Sequence, residues 1–286
     1  MSAEQDVLIS VKDLKYRYGD GDYALKGIDL TIKKNSFFAF IGQNGSGKTT
    51  LAKHFVGLLR PSAGNVTVCG VNTLKTPVVD LARHVGYVFQ NANDQIFCDT
   101  VEKEVAYGPK NLRFPKEKIE SSVVEALELL GLSKFRSKHP LSLGWGDRQK
   151  VAIASVLSMG PEILILDEPT TGQDMRGSYE ILNTCSKLHE EGKTVIIITH
   201  NMQLVTEFCH DVVVLYDGEI LAQGKAGDVF LDAETLQRSY IEPPQITRLA
   251  GDMAAKYPGF PSSMLSVKQM SAAIKEYSAK EGISLG

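Results

Sequence analysis

Residues 36–59, SFFAFIGQNGSGKTTLAKHFVGLL, pass from a nearly continuous apolar run through a glycine-rich turn into a helix-like segment. No other stretch constrains the fold as tightly. GQNGSGKT, Gly42 to Thr49, matches G-x-x-x-x-G-K-[ST] and stands where that pattern needs to stand, after a buried strand and before a helix. Glycines leave room for backbone N–H groups to curl around a phosphate with no Cβ in the way. The helix start adds a dipole favourable to anions. Lys48 supplies a point charge for β- and γ-phosphates, and the Thr49 hydroxyl suits Mg²⁺. The order strand, loop, helix predicts an α/β fold that binds a nucleoside triphosphate.

The remaining pattern agrees with such a core. VLISVKDLKYRY and YALKGIDLTI, between Val7 and Lys34, read as short alternating β-strands broken by GDGD. EILILD and TVIIITH are short, isoleucine-rich runs that fit strands buried on both faces, as in a parallel sheet. DVVVLYDGEILAQG predicts a hairpin turning at Asp217-Gly218. From about Asn91 to Leu143 the period becomes helical, with a glycine stop at Gly131 after KEKIESSVVEALELL. With 286 residues, a main domain plus an appendage is expected. We place the main domain at residues 1–230, with a helical insertion at about 91–155, and a tail at 231–286.

Charge gives no reason to expect nucleic acid as a partner, since 31 basic and 34 acidic residues leave a net −3. Cys69, Cys98, Cys185 and Cys209 are widely spaced without a CxxC, which fits reduced thiols. The opening MSAEQDVLIS is polar and acidic, unlike a secretory leader. No apolar run approaches the ~20 residues of a membrane span, so any membrane role is expected to be peripheral.

Asp167 and Glu168 close the buried run ILILD-E, at the strand end where ligands of parallel sheets sit. Asp167 is placed to support the magnesium, and Glu168 to address a water attacking the γ-phosphate. Their alternative is a pair of solvated loop acids. His200 ends the next strand and faces the same edge, although a lone histidine is often structural. Gln90 follows VGYVF, where a neutral amide could ligate magnesium and meet the attacking water.

In this order, these residues resemble the ATP-binding cassette (ABC) ATPases: phosphate loop 42–49, Gln90 as the Q-loop, ILILDE as Walker B, TGQD (Thr171 to Asp174) as the D-loop, and His200 as the switch histidine. The resemblance implies an ABC-type phosphate-loop core with an antiparallel β subdomain, a helical insertion and a small helical tail. It implies ATP and Mg²⁺ as cofactors, with Thr49, Gln90 and Asp167 on the metal. Glu168, with His200 and Gln90, would be catalytic. Gly42, Gln43, Asn44, Gly45, Ser46, Gly47, Lys48, Thr49 and Thr50 would bind the nucleotide, with Tyr18 stacked on adenine and Tyr16 as its competitor. VFQNANDQIFCDTVEKEVAYGPKNL and GDVFLDAETLQRSYIEPPQITRLA are similar to segments of the energy-coupling factor (ECF) transporter ATPases. That similarity implies a peripheral subunit on the cytoplasmic face of the membrane, importing a micronutrient with a transmembrane subunit and a substrate-binding membrane subunit. Asp94, Gln95 and Phe97 are the candidates for docking the membrane partner.

One motif departs from the family. Counted back without a gap from RQKVAIA, Leu143-Gly144-Trp145-Gly146-Asp147 stands against LSGGQ. Counting forward from Leu141-Ser142 keeps the serine but needs a two-residue insertion; we adopt the gapless register. The resemblance then implies that Gly144 and Gly146 close over a nucleotide held by another subunit. A missing serine hydroxyl forfeits a charged hydrogen bond of ~1.5–3 kcal/mol. Trp145 puts bulk where backbone would approach. Asp147 facing a phosphate at ~6 Å would add ~3 kcal/mol of repulsion, unless it caps the helix and points away. A loss of that size slows the partner's site by roughly 10²-fold. A heterodimer with a second, related ATPase would keep one strong site, and is therefore favoured. Two other readings stay open: a dimerisation switch with little turnover, and a non-transport ABC protein. Met253, Tyr257, Met264, Leu265, Met270, Ile274 and Tyr277 offer the tail either a subunit contact or a small core of its own.

Overall fold

The computed structural model describes residues 6–280. The polar opening at 1–5 and the end of the tail at 281–286 lie outside the described residues. Among the described residues, ten strands form two sheets. β1 (Val7–Arg17), β2 (Tyr23–Lys33), β4 (Ala63–Val68) and β5 (Val71–Asn72) make an antiparallel sheet in the order β2-β1-β4-β5. β3 (Phe37–Ile41), β6 (Val85–Val88), β7 (Ile163–Asp167), β8 (Thr194–Ile198), β9 (Asp211–Tyr216) and β10 (Glu219–Lys225) make the central sheet, ordered β10-β9-β3-β8-β7-β6. It is parallel from β9 to β6, and β10 runs antiparallel at the edge.

Strand periodicity divides the core in two. Phe37, Ala39 and Ile41 of β3, Leu164 and Leu166 of β7, and Val195 and Ile197 of β8 point to one face. Phe40, Ile163, Ile165, Ile196 and Ile198 point to the other. Both faces are covered, which is why β7 and β8 carry no alternating polar residues. The second face receives the antiparallel sheet, through Leu14, Leu25 and Ile28, and Leu51 and Phe55 of α1 (Lys48–Phe55). After the four-residue α2 (Val78–Leu81), the first face receives α3 (Val101–Asn111), α4 (Lys116–Leu129) and α5 (Trp145–Leu157). α6 (Met175–Glu190), α7 (Met202–Phe208) and α8 (Ala226–Leu231) lie on the same face.

Local signals set the boundaries. Thr100 caps α3 by accepting from Lys103 N–H, and Gly131, with φ +67°, follows α4 as the glycine stop required. Asp217 and Gly218 take φ +47° and +80° between β9 and β10, the paired positive values of the tight hairpin turn. Past α8 come α9 (Ala233–Ser239), α10 (Gln245–Lys256) and α11 (Val267–Lys280). Packing does not break at residue 231: Leu236 and Ile241 still belong to the main core. A separate cluster of Ala250, Phe260, Met264 and Met270 follows, with Met253, Tyr257, Ile274 and Tyr277 against it. Of the seven tail positions named above, these six pack on one another, and Leu265 packs against the main core. Among the described residues, no helix is long and apolar enough to cross a membrane.

Candidate nucleotide site

β3 delivers the chain to Gly42 and α1 takes it up again at Lys48, so the intervening loop lies over the C-terminal edge of the parallel strands. Gly42 has φ +147°, and a Cβ there would stand 2.2 Å from Leu215 O. Only glycine fits that crossing. Gly45, at φ +82°, has open space where a Cβ would be, so its backbone faces the cavity bare. Lys48 folds back and donates from Nζ to Gly42 O (2.8 Å) and Gln43 O (2.7 Å). Ser46 is buried, with its Oγ 3.4 Å from the same nitrogen. Burial pushes the Lys48 pKa below its ordinary value, against the opposing pull of Glu168 and Asp167.

The end of β7 brings two carboxylates to this loop. Asp167 Oδ2 accepts from the Thr49 hydroxyl at 2.8 Å and from the Tyr87 hydroxyl at 2.7 Å. Asp167 Oδ1 is buried with no partner among the described residues. Glu168 takes φ +49°, a left-handed conformation costly for a side chain with a Cβ. Its N–H bonds Ile198 O at 2.9 Å, and its Oε1 accepts from His200 Nδ1 at 3.0 Å. Because a carboxylate can only accept, Nδ1 carries the proton. Glu168 Oε2 is buried and unpartnered among the described residues. Asn44, Gly47, Thr50, Gln90 and Tyr18 join Lys48 and both acids around a cavity of about 250 Å³. Gly42, Gln43 and His200 line an adjoining cleft of about 620 Å³. Tyr18 is exposed, its hydroxyl 3.1 Å from Thr50 Oγ1, whereas Tyr16 stacks edge-on between Tyr18 and buried His54.

Residues 25–171 match the family model described as ABC transporter. The energy-coupling factor transporter ATP-binding protein EcfA of Methanocaldococcus jannaschii is 43% identical over 244 residues, 85% of this chain and 88% of that protein. The chain belongs to the ABC transporter ATPases. A putative ABC transporter ATP-binding protein of Caldanaerobacter subterraneus is 42% identical over 94% of this chain but only 46% of its own length. This chain thus spans about half of that relative. Among solved structures, cbiO1 of Clostridium perfringens, described as part of the ABC transporter complex cbiONQ, aligns with a TM-score of 0.74 at 36% identity. The alignment covers 85% of this chain and 98% of that one.

For an ABC cassette, the start of α5 is unusual. Gly144 holds the capping position, with extended φ/ψ of −62°/160° and no side-chain cap, and Trp145 is the first helical residue. Asp147 is therefore not the cap: Gly144 has taken that place, and Asp147 lies in the first turn, where its charge favours the helix dipole. Ser142 belongs to a separate short turn at Pro140–Ser142 and donates its hydroxyl to His139 O. Gly144, not Ser142, stands at the head of α5. Gly144 and Gly146 do not reach the cavity of their own chain. Two contributors escaped sequence reasoning. Tyr87 reaches Asp167 because β6 pairs with β7, placing Tyr87 opposite Ile165. Tyr240, far along the chain, borders the cleft beside His200. No short motif marks either; only the tyrosine within the apolar run VGYVF was a hint.

Proposed function

We propose that this chain is the ATP-hydrolysing subunit of an ECF-type importer, closing on nucleotide against a second, different ABC ATPase. Lys48 holds the β- and γ-phosphates, and the bare loop from Gly42 to Gly47 with Thr50 surrounds them. Tyr18, the exposed member of the tyrosine pair, receives the adenine ring. Thr49, Asp167 and Gln90 would hold Mg²⁺; Asp167 Oδ1, unpartnered among the described residues, and the Thr49 hydroxyl beside it fit a hard, oxygen-seeking cation. When bound, the ion supplies positive charge against the phosphates. Glu168 accepts the proton of the attacking water at Oε2, the oxygen with no hydrogen-bond partner among the described residues, while His200 holds Oε1 and fixes the carboxyl's direction. Gln90 orients the same water.

One contrast carries the pairing: Lys48, Thr49, Gln90, Asp167 and Glu168 gather around one cavity of this chain, whereas the α5 start it would offer a partner lacks a hydroxyl. Two identical copies would share two weakened sites. The double length of the Caldanaerobacter relative leaves room for a second cassette and supports pairing between unlike halves. Phe97 and Tyr107, both exposed and stacked edge-on at 4.6 Å beyond the Q-loop, support a membrane partner docked there alongside Asp94, whereas the Gln95 amide is taken up inside the chain by Phe89 N–H, Ala152 O and Ser155. The exposed Leu249 and Val267, rather than the six positions that pack on one another, support a dimer contact through the tail at 231–286. The cargo is a metal ion or vitamin delivered by a substrate-binding membrane subunit, and the complex sits at the cytoplasmic face. The test is steady-state ATP turnover of the purified chain alone and with candidate partners. The pairing reading expects slow turnover alone and a rise on adding an unlike cassette. Brisk turnover by identical copies refutes it. Slow turnover that no partner raises favours the dimerisation switch.

A further inference from the structure

α5 and the loop Thr171–Asp174 are locked together by an exchange of large side chains for glycines. The Trp145 indole Nε1–H donates to Thr171 O at 3.1 Å. The ring lies over Gly172, whose φ is +73°, and a Cβ there would come within 2.7 Å of Nε1 and 3.1 Å of Cδ1. In return, Gln173 reaches across to α5: a Cβ on Gly146 would meet Gln173 Oε1 at 2.7 Å. Gln173 Nε2 is buried with no partner among the described residues. A tryptophan merely left at the surface would not be matched by a glycine beneath it and a second glycine beneath its neighbour.

The loop conveys this grip inward. Thr171 N–H donates to Glu168 O at 3.1 Å, Gln173 N–H to Thr170 O at 3.1 Å, and Asp174 caps α6 by accepting from Gly177 N–H at 2.7 Å. Every turn between Glu168 and α6 is therefore tied to the next. Glu168 itself sits in a left-handed conformation that neighbouring structure has to maintain. We propose that Trp145 is a positioning residue: by fastening the head of α5 to Thr171 it makes the helical insertion and the Glu168 segment move as one body. Through this link, the residue that fills a signature position holds the catalytic carboxylate of its own chain in register. The inference rests on Glu168 acting in hydrolysis, not on the identity of the partner.

The test uses the purified full chain with ATP and Mg²⁺ under single-turnover conditions, where a slow step is still measurable. Trp145→Phe keeps a ring but removes the N–H, and should lower the rate constant at saturating ATP by about threefold to tenfold. Gly172→Ala displaces the ring and should lower it by about tenfold or more. Half-saturation by ATP should be unchanged in both, because Lys48 and its loop are untouched. Trp145 is the only tryptophan, so its emission reports the contact directly. Acrylamide quenching should rise in Gly172→Ala relative to wild type. Quenching that does not change, or a loss confined to half-saturation, overturns the proposal. The variant-to-wild-type ratio is what is read, so brisk turnover by identical copies would refute the pairing and leave this inference standing.

Discussion

Glu168 combines a strained backbone with a carboxyl whose Oε1 accepts from His200 and whose Oε2 is buried without a hydrogen-bond partner among the described residues. Glu168→Gln keeps the shape and removes the base, so turnover should fall by about 10²–10⁴-fold with ATP binding retained, read by calorimetry beside a phosphate-release assay. Tyr87→Phe should instead act on the fold. It deletes a buried hydrogen bond to a carboxylate, and denaturant unfolding should register a loss of about 1.5–3 kcal/mol. His54 gives a pH prediction. It is fully buried on α1 with Nδ1–H on Thr50 O and Nε2 unpartnered among the described residues, and burial holds its pKa below the ordinary 6.5. The unfolded chain therefore takes up a proton near pH 6.5 that the folded chain refuses until lower pH. Stability should fall as pH drops below that value. His54→Gln should flatten the fall in melting temperature between pH 7 and 5.5; an unchanged slope would clear His54. Lys48, Thr49, Asp167 and Glu168 were legible because a single strand end and a single loop place each of them. Tyr87 was not, because its role depends on which strand lies beside β7.

At the level of elements, the α5 start is where sequence and geometry part. Asp147 looked capable of capping the helix, since aspartate is a good cap, yet capping requires the residue just outside the first turn, and Gly144 stands there. The apolar repeat of α5 fixed the helix but left its first residue uncertain by a turn. The hairpin at Asp217-Gly218 was legible because the turn chemistry is confined to two adjacent residues. If the missing hydroxyl and the added charge limit the partner's site, Gly144→Ser combined with Asp147→Gln should raise turnover of the reconstituted pair by roughly 10²-fold or more. A rate that stays level would place the limitation elsewhere, for example in product release.

Across the whole molecule, the six-residue apolar set of the tail packs into its own cluster beyond Ile241. A chain ended after Pro244 should still bind nucleotide, while its association with a second cassette weakens in light scattering. Unimpaired association would remove the tail from the interface. That cluster was hard to foresee, because apolar positions on paired helices serve an internal core and an external contact equally well. The central sheet has one more consequence. β3, which leads into the phosphate loop, finds its neighbours in β8 and β9, residues 194–198 and 211–216. During synthesis β3 emerges well before the two strands that flank it. The cradle for ATP, encoded near the beginning, is among the last parts of the protein to be completed.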